Sequence, residues 1–344
     1  MNLMKKAWSG SFPHQYIQRR TGGIVDEALV GDLAVLGLYS TAREKAGWLF
    51  NALTSARASR VLGFCNYDLP ILNPGRNVRV LAEKMGADLD ECVDPPEYFT
   101  SARRFFERKI KYWQTRPMPE DPRAVVSPAD ARVIVGSLEE HSSLYLKESL
   151  FGFEDLLGLD KPGWLRAFKG GDYAVFRLTP DKYHYNHSPV AGQVVDIYEI
   201  HGAYHSCNPG AVIMEATPYS KNKRAVTIID TDVPGGTQIG LAAMIEVAAM
   251  MIGDIVQCYS GREYDSPQEV EQGLFLEKGQ PKSLYRPGSS TDVVLFQKGR
   301  MQFSGDLLQN TLRTDVQSRF SQGFGRAMVE TEVLVREQIG CALS

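Results

Sequence analysis

The sequence has no long, uninterrupted apolar run. Its longest apolar stretch, Ile239 to Val256, is broken by Glu246 and Asp254. A bilayer-spanning helix needs about 20 mostly apolar residues. The stretch therefore reads as buried core, and any membrane contact is expected to be peripheral. A signal peptide is not expected either, because the opening MNLMKKAWSGSFPHQY has two lysines but no apolar run behind them. Cysteine is sparse: Cys65, Cys92, Cys207, Cys258 and Cys341 lie far apart with no CxxC pair. That argues against a disulfide framework or a zinc knuckle and fits a reducing compartment. Charge is nearly balanced, with a formal net value of -3, so nothing points to a nucleic-acid partner. Histidine is scarce too. The chain has six, so two within one short segment stand out.

What is present suits a folded enzyme. Hydrophobic residues make up 43% of the 344 positions, enough for one large or two modest domains. Residues 24 to 64 are rich in Ala, Leu and Arg and lack proline, which predicts one or two helices. Asn77 is expected to cap a helix running to Met85, with Gly86 ending it. Phe105-Phe106 fall in a third helical stretch before the breaker Arg116-Pro117-Met118-Pro119. After Pro122 the texture changes to short β-type runs separated by Gly and Pro turns: Val125-Val126, Tyr173 to Leu178, Gln193 to Ile200, Val212 to Ala216, Ala225 to Ile229 and Val293 to Phe296. Residues 139 to 170 and 304 to 328 are expected to be less regular. The class expected is α+β, with a helical N-terminal region (1–122) packed on a β-rich catalytic domain (123–344).

Three segments carry chemistry. Gly288-Ser289-Ser290-Thr291 precedes the strand-like Asp292-Val293-Val294-Leu295-Phe296. Read plainly, it is a Gly-Ser turn. A serine in such a turn can also attack the carbonyl before it, and the resulting ester can eliminate to dehydroalanine and hydrolyse to a pyruvoyl group. Second, Tyr183-His184-Tyr185-Asn186-His187-Ser188-Pro189 holds two histidines three apart. They fit metal ligands, structural residues, or a base that activates Ser290. No HExxH pattern supports the metal. Third, Ser127-Pro128-Ala129-Asp130 offers either a turn aspartate or a carboxylate that orients His187 and stabilises its imidazolium.

SPAD at 127–130, FRLTPDKYHYNHSPVAG at 176–192, CNPGAV at 207–212, NKRAVTIIDTD at 222–232 and GSSTDVVLFQKG at 288–299 occur in this order. Together they resemble the successive signature segments of the phosphatidylserine decarboxylase family. NYDLP at 66–70 and FFERKI–RP at 105–117 resemble its helical N-terminal part. The resemblance implies a self-cleavage triad of Asp130, His187 and Ser290, with His184 serving decarboxylation. Asn208-Pro209 matches a family loop of structural or pocket-lining character. Two departures matter. Relatives carry glycine directly before the cleaved serine, whereas here two serines follow Gly288; spacing to the downstream Leu295-Phe296 selects Ser290, and the glycine alone would select Ser289. Relatives also carry glycine where Ala131 follows Asp130.

The resemblance further implies cleavage before Ser290 into a β fragment (1–289) and an α fragment (290–344), whose first residue becomes a pyruvoyl cofactor. That group would hold the amine of phosphatidylserine as a Schiff base while carbon dioxide leaves, giving phosphatidylethanolamine. No metal or pyridoxal phosphate is implied. Two alternatives stay open: decarboxylation of a free aromatic amino acid, and a cleavage-dead relative that binds lipid. Residues 40 to 64 place Trp48, Leu49, Phe50 and Leu53 beside Arg43, Lys45, Arg57 and Arg60, either a helix packed on the catalytic domain or one docked on an anionic membrane surface. The expected location is peripheral, on the cytoplasmic face of a membrane. The expected partners are phosphatidylserine, that surface and the chain's own two fragments, with a homo-oligomer allowed.

Overall fold

A computed structural model describes residues 12–29, 74–139, 150–214, 217–249, 254–287 and 290–343. Its strands are β1 (Gln15–Gln18), β2 (Gly23–Asp26), β3 (Ala124–Val126), β4 (Ala131–Ser137), β5 (Asp172–Leu178), β6 (Tyr185–His187), β7 (Gly192–Ile200), β8 (Arg224–Asp230), β9 (Leu241–Ala248), β10 (Ile255–Gln257), β11 (Phe275–Leu276), β12 (Pro281–Tyr285), β13 (Ser290–Phe296), β14 (Met301–Phe303), β15 (Thr331–Val333) and β16 (Gln338–Ala342). Ten of them form one sheet in the order β11-β7-β8-β9-β13-β5-β4-β15-β1-β2, and two three-stranded sheets, β10-β12-β6 and β14-β16-β3, complete the β structure. With both helices and a large sheet, the chain is α+β as expected.

Alternation along β13 shows how the layers are built. Val294 and Phe296 enter one buried cluster with Phe176, Leu178, Ala248 and Tyr285. Val293 and Leu295 enter another with Val175, Ile245, Val247 and Phe320. Successive strand residues point to opposite faces. The first face therefore meets the layer that holds the small sheets. The second meets the helices Phe153–Leu157, Pro162–Phe168, Pro209–Met214 and Arg319–Phe324. Each fully buried Val, Leu or Phe side chain contributes about 1.5–3 kcal/mol of transfer free energy. Gly171 permits the close approach of the chain to β13, since a Cβ there would run into the carbonyl oxygen of Phe296.

Several expectations are corrected. Val212 to Ala216 is not a strand: the helix Pro209–Met214 occupies its described part, opened by Asn208. A short apolar run has no period that separates strand from buried helix. Asn77 lies inside its helix, not at its cap, because the helix already begins at Pro74; proline is preset for a first helical position. Gly86 ends that helix in the left-handed region, at φ 63°. Gly23–Asp26 is a strand, not the start of a helix, and it pairs with β1, which in turn pairs in parallel with β15. The stretch 304–328 contains two helices, Gly305–Thr311 and Arg319–Phe324. The anticipated docking helix at 40–64 and the segment 66–70 lie outside the described residues. Among the described residues, no helix is long and apolar enough to cross a membrane.

Candidate active site

Main-chain bonds draw the Asp130 turn and the His187 strand together. The His187 N–H donates to the carbonyl of Pro128 at 2.7 Å, and the Val126 N–H to that of Pro189 at 3.0 Å. The turn itself is closed by the Ser127 hydroxyl on the carbonyl of Ala129, at 2.8 Å. Asp130 and His187 therefore come from segments far apart in sequence and sit side by side.

The expected hydrogen bond between them is not made. Arg116 instead grips both Asp130 oxygens, Nε to Oδ1 at 3.1 Å and Nη2 to Oδ2 at 2.9 Å, and the Val335 N–H adds a third bond at 2.8 Å. Burial opposes ionisation of this carboxyl, but the guanidinium and the amide outweigh it and hold its pKa below the usual range. His187 turns elsewhere. Its Nδ1 lies 2.9 Å from the carbonyl of Gly279 and its Nε2 2.9 Å from the Tyr183 hydroxyl. Only an Nδ1–H tautomer satisfies the carbonyl, so Nε2 carries the lone pair and accepts from Tyr183. Burial pulls the His187 pKa down to about 3. Arg336 and Arg116 push the same way, while the Gly279 carbonyl and Asp130 push back. The imidazole is thus neutral near pH 7, the form that takes a proton.

His184 is held differently. Its carbonyl accepts from the Tyr285 N–H at 3.1 Å. Its ring stacks on Phe106, with centroids 3.6 Å apart. Both ring nitrogens are buried without a hydrogen-bond partner of good geometry. Burial, and then the nearby Arg108 charge, keep its pKa well below the ordinary value. The imidazole is thus stacked and neutral, with a weak backbone contact at Lys182.

Ser290 opens β13, opposite Leu178 on β5 and Ala248 on β9. By alternation with Val294 and Phe296 it faces the layer that carries β6 and β12. Its Oγ is fully buried and has no hydrogen-bond partner among the described residues, although buried hydroxyls are normally bonded. Gly288 and Ser289 lie outside the described residues. The sequence reading missed Arg116, Phe106 and Tyr285 as parts of the site. For Arg116 and Phe106 the signal was available, since both lie in the FFERKI–RP segment.

A polar cavity opens beside Asp130, lined among others by Arg116, Arg108, Lys182 and Tyr183. It has a volume of about 300 Å³. It gives a small charged group a way toward the Asp130 side of the site.

A family model described as phosphatidylserine decarboxylase matches residues 102–325. The chain is 28% identical to a phosphatidylserine decarboxylase proenzyme of Fusobacterium nucleatum, across 90% of this chain and 95% of that protein. To the proenzyme of the same name from Ruminiclostridium cellulolyticum it is 28% identical, across 95% and 97%. To phosphatidylserine decarboxylase proenzyme 2 of Oryza sativa it is 32% identical, across 66% of this chain and 34% of that longer protein.

Proposed function

The chain belongs to the phosphatidylserine decarboxylase family, and from that premise we propose that it is a self-cleaving enzyme that converts phosphatidylserine to phosphatidylethanolamine and carbon dioxide. The observation that carries the reading is the buried, unpartnered Ser290 Oγ at the head of a central strand. An orphan hydroxyl there costs stability and has no packing purpose. As the source of the cofactor it has a chemical one, and the name proenzyme borne by the relatives fits a chain that matures by cleavage.

The first step is a shift of the peptide bond between Ser289 and Ser290. His187 takes the Ser290 proton at Nε2, which requires Tyr183 to release that nitrogen. Asp130 lies near enough for its charge to favour the imidazolium that forms. The Ser290 oxygen attacks the Ser289 carbonyl carbon, the carbon–nitrogen bond breaks, and an ester links the two residues. Loss of the Ser290 α-proton expels the Ser289 carboxylate. Hydrolysis then releases ammonia and leaves a pyruvoyl end. The orphan oxygen, the neutral base and the enclosed setting fit the formation of this group at Ser290.

A pyruvoyl keto carbon supplies an electrophile for the substrate amine and a sink for electrons as carbon dioxide departs. The protein supplies the surroundings. Phe106 and His184 present an apolar wall with a neutral imidazole, which positions the substrate carboxylate or provides the proton that replaces it. On this reading residues 123–344 and the β1–β2 hairpin build the catalytic domain, and the rest of 1–122 carries the membrane-associating region on the cytoplasmic face. Carbon dioxide release from diacyl phosphatidylserine, free serine and free tryptophan at equal concentration tests the substrate. Turnover of tryptophan with none of the lipid, in protein that has cleaved, would replace the named substrate and keep the chemistry. Sedimentation with anionic vesicles tests the membrane contact.

A further inference from the structure

One of the buried ionisable clusters that the proposed mechanism leaves unused lies on the Ser290 face of the sheet. Asp292 follows Ser290 by two residues on β13, and the β13 register runs unbroken from Ser290 to Phe296. The two side chains therefore share a face. Directly opposite Asp292, on β9, stands Glu246. Both are fully buried. Two ionised carboxylates at such cross-strand positions repel strongly.

The surroundings divide the two carboxyls. Glu246 is committed to the fully buried Lys282, 2.8 Å from its Nζ, and to the Ser283 hydroxyl, with Gln257 at 2.8 Å. Among the described residues Asp292 has no cation of its own. Its Oδ1 accepts from the Tyr285 hydroxyl at 2.7 Å, and its Oδ2 has no partner among them. The groups facing it are Glu246 from β9, Lys282 and Tyr285 from β12, and the apolar Phe176 from β5. Burial first, and then Glu246, raise the Asp292 pKa well above the ordinary value, against weaker lowering by Tyr285 and Lys282. A buried carboxyl whose neighbour already carries the charge stays protonated. The unpartnered Oδ2 and the unpartnered Ser290 Oγ thus stand two residues apart on one strand face, and the base His187 is neutral.

We propose that Asp292 is the acid of the self-cleavage step, giving its proton to the main-chain nitrogen of Ser290 as the Ser289–Ser290 peptide bond breaks. The inference rests on the self-cleavage reading above. The step balances. The Ser290 hydroxyl proton passes to His187, the oxygen–carbon bond forms, and the carbon–nitrogen bond breaks. The nitrogen takes the Asp292 proton and becomes a free amine. The Asp292 carboxylate then recovers a proton from the His187 imidazolium, through solvent or directly. Tyr285 is a positioning residue: its hydroxyl holds Asp292 while its N–H holds the His184 carbonyl.

The test follows full-length chain, synthesised in vitro with a radiolabel and chased on gels across pH. Wild type should cleave and Ser290→Ala should not; a stable wild-type precursor would sink the self-cleavage reading itself. Asp292→Asn keeps size and a donor but carries no acidic proton. It should cleave about 10²-fold more slowly or worse, with its melting temperature nearly unchanged. Wild-type cleavage should fall at high pH as Asp292 ionises, and that limb should vanish in Asp292→Asn. Glu246→Gln removes the opposing charge and should move the limb to lower pH. Tyr285→Phe removes the bond that favours ionisation and should move it to higher pH. Folded Asp292→Asn that cleaves at the wild-type rate, or that keeps the alkaline limb, overturns the proposal. If Asp292→Asn does not fold, the opposite shifts in the other two variants decide, and limbs that stay put or move together overturn it.

Discussion

The two faces of the large sheet at β13 both bury charge, and they do so to different ends. On the Thr291 side, Arg177 stands opposite Thr291 and opposite Arg132. Arg177 holds Glu330 at 2.8 and 2.6 Å and Glu27 at 3.0 and 2.6 Å. His14 accepts from the Arg319 N–H at Nδ1 and meets Glu330 at 2.7 Å through Nε2. The donor atoms of His14, Glu27 and Glu330 lie within 4.8 Å of one another, a spacing that would suit a cation. The arginines already supply that charge. Burial opposes ionisation of Glu330, yet Arg177 and His14 hold its pKa far below the carboxylate range. This cluster fastens the N-terminal hairpin to β4, β5 and β15. On the Ser290 side, by contrast, Ser290 Oγ, Asp292 Oδ2 and both His184 nitrogens lack hydrogen-bond partners among the described residues. Paired buried charge, with the Arg132 guanidinium short of hydrogen bonds, marks a structural joint, whereas buried hydroxyl, carboxyl and imidazole atoms left open mark the place where chemistry is expected.

Substitutions on the two faces should therefore fail in different ways. The largest effect is expected from His187→Ala. Loss of the base should slow self-cleavage by about 10²–10⁴-fold while the melting temperature shifts little, and gel analysis of fresh protein reads it directly. On the other face, Arg177→Met strands two buried carboxylates and should cost about 3–5 kcal/mol in urea unfolding, while whatever remains folded still cleaves. A large loss of cleavage in the folded fraction would erase the division between the faces. His184→Ala should cleave and then release carbon dioxide about 10²-fold more slowly, which sharpens the comparison within the open face.

The last effect is graded with pH and is the smallest per pH unit. His187 is depressed from 6.5 to about 3 in the folded state, and His184 is depressed as well. The unfolded chain therefore binds more protons over that window. Stability should fall as pH drops below about 6.5, by up to about 1.4 kcal/mol per pH unit for each histidine, levelling off for His187 near pH 3. Denaturant titrations at pH 7, 6 and 5 measure the slope, and His187→Ala should reduce it.

Much of this was legible in the sequence, and the reasons for the gaps are physical. β5, β7, β8 and β13 announce themselves through β-branched and aromatic residues between Gly and Pro turns. β1 and β2 are four-residue strands, too short for a period to register, and they earn their place only by pairing with a segment some 300 residues away. Asp130, His187 and Ser290 were nameable because their motifs follow one another in the order the family resemblance implies. The FFERKI–RP segment flags Arg116 as a residue, but its grip on Asp130 was not legible, and neither was the Tyr183 contact on His187, since both depend on how loops pack. Asp292 was in plain view beside Ser290, but its significance requires the β13–β9 register that sets it against Glu246.

The position of β13 has a consequence for the molecule that the proposed cleavage before Ser290 would leave. It pairs with β5 on one side and β9 on the other along all seven of its residues. Fragment 290–344 also carries β15, which pairs with both β1 and β4, and β16, which pairs with β3. A cut before Ser290 thus severs the chain without creating a separable piece. The two products are laced through one another, each completing sheets that the other begins. Dilution cannot part them as it parts two docked subunits, because letting go means dismantling the core, so the cut enzyme should survive at concentrations where an ordinary heterodimer of such unequal partners would fall apart.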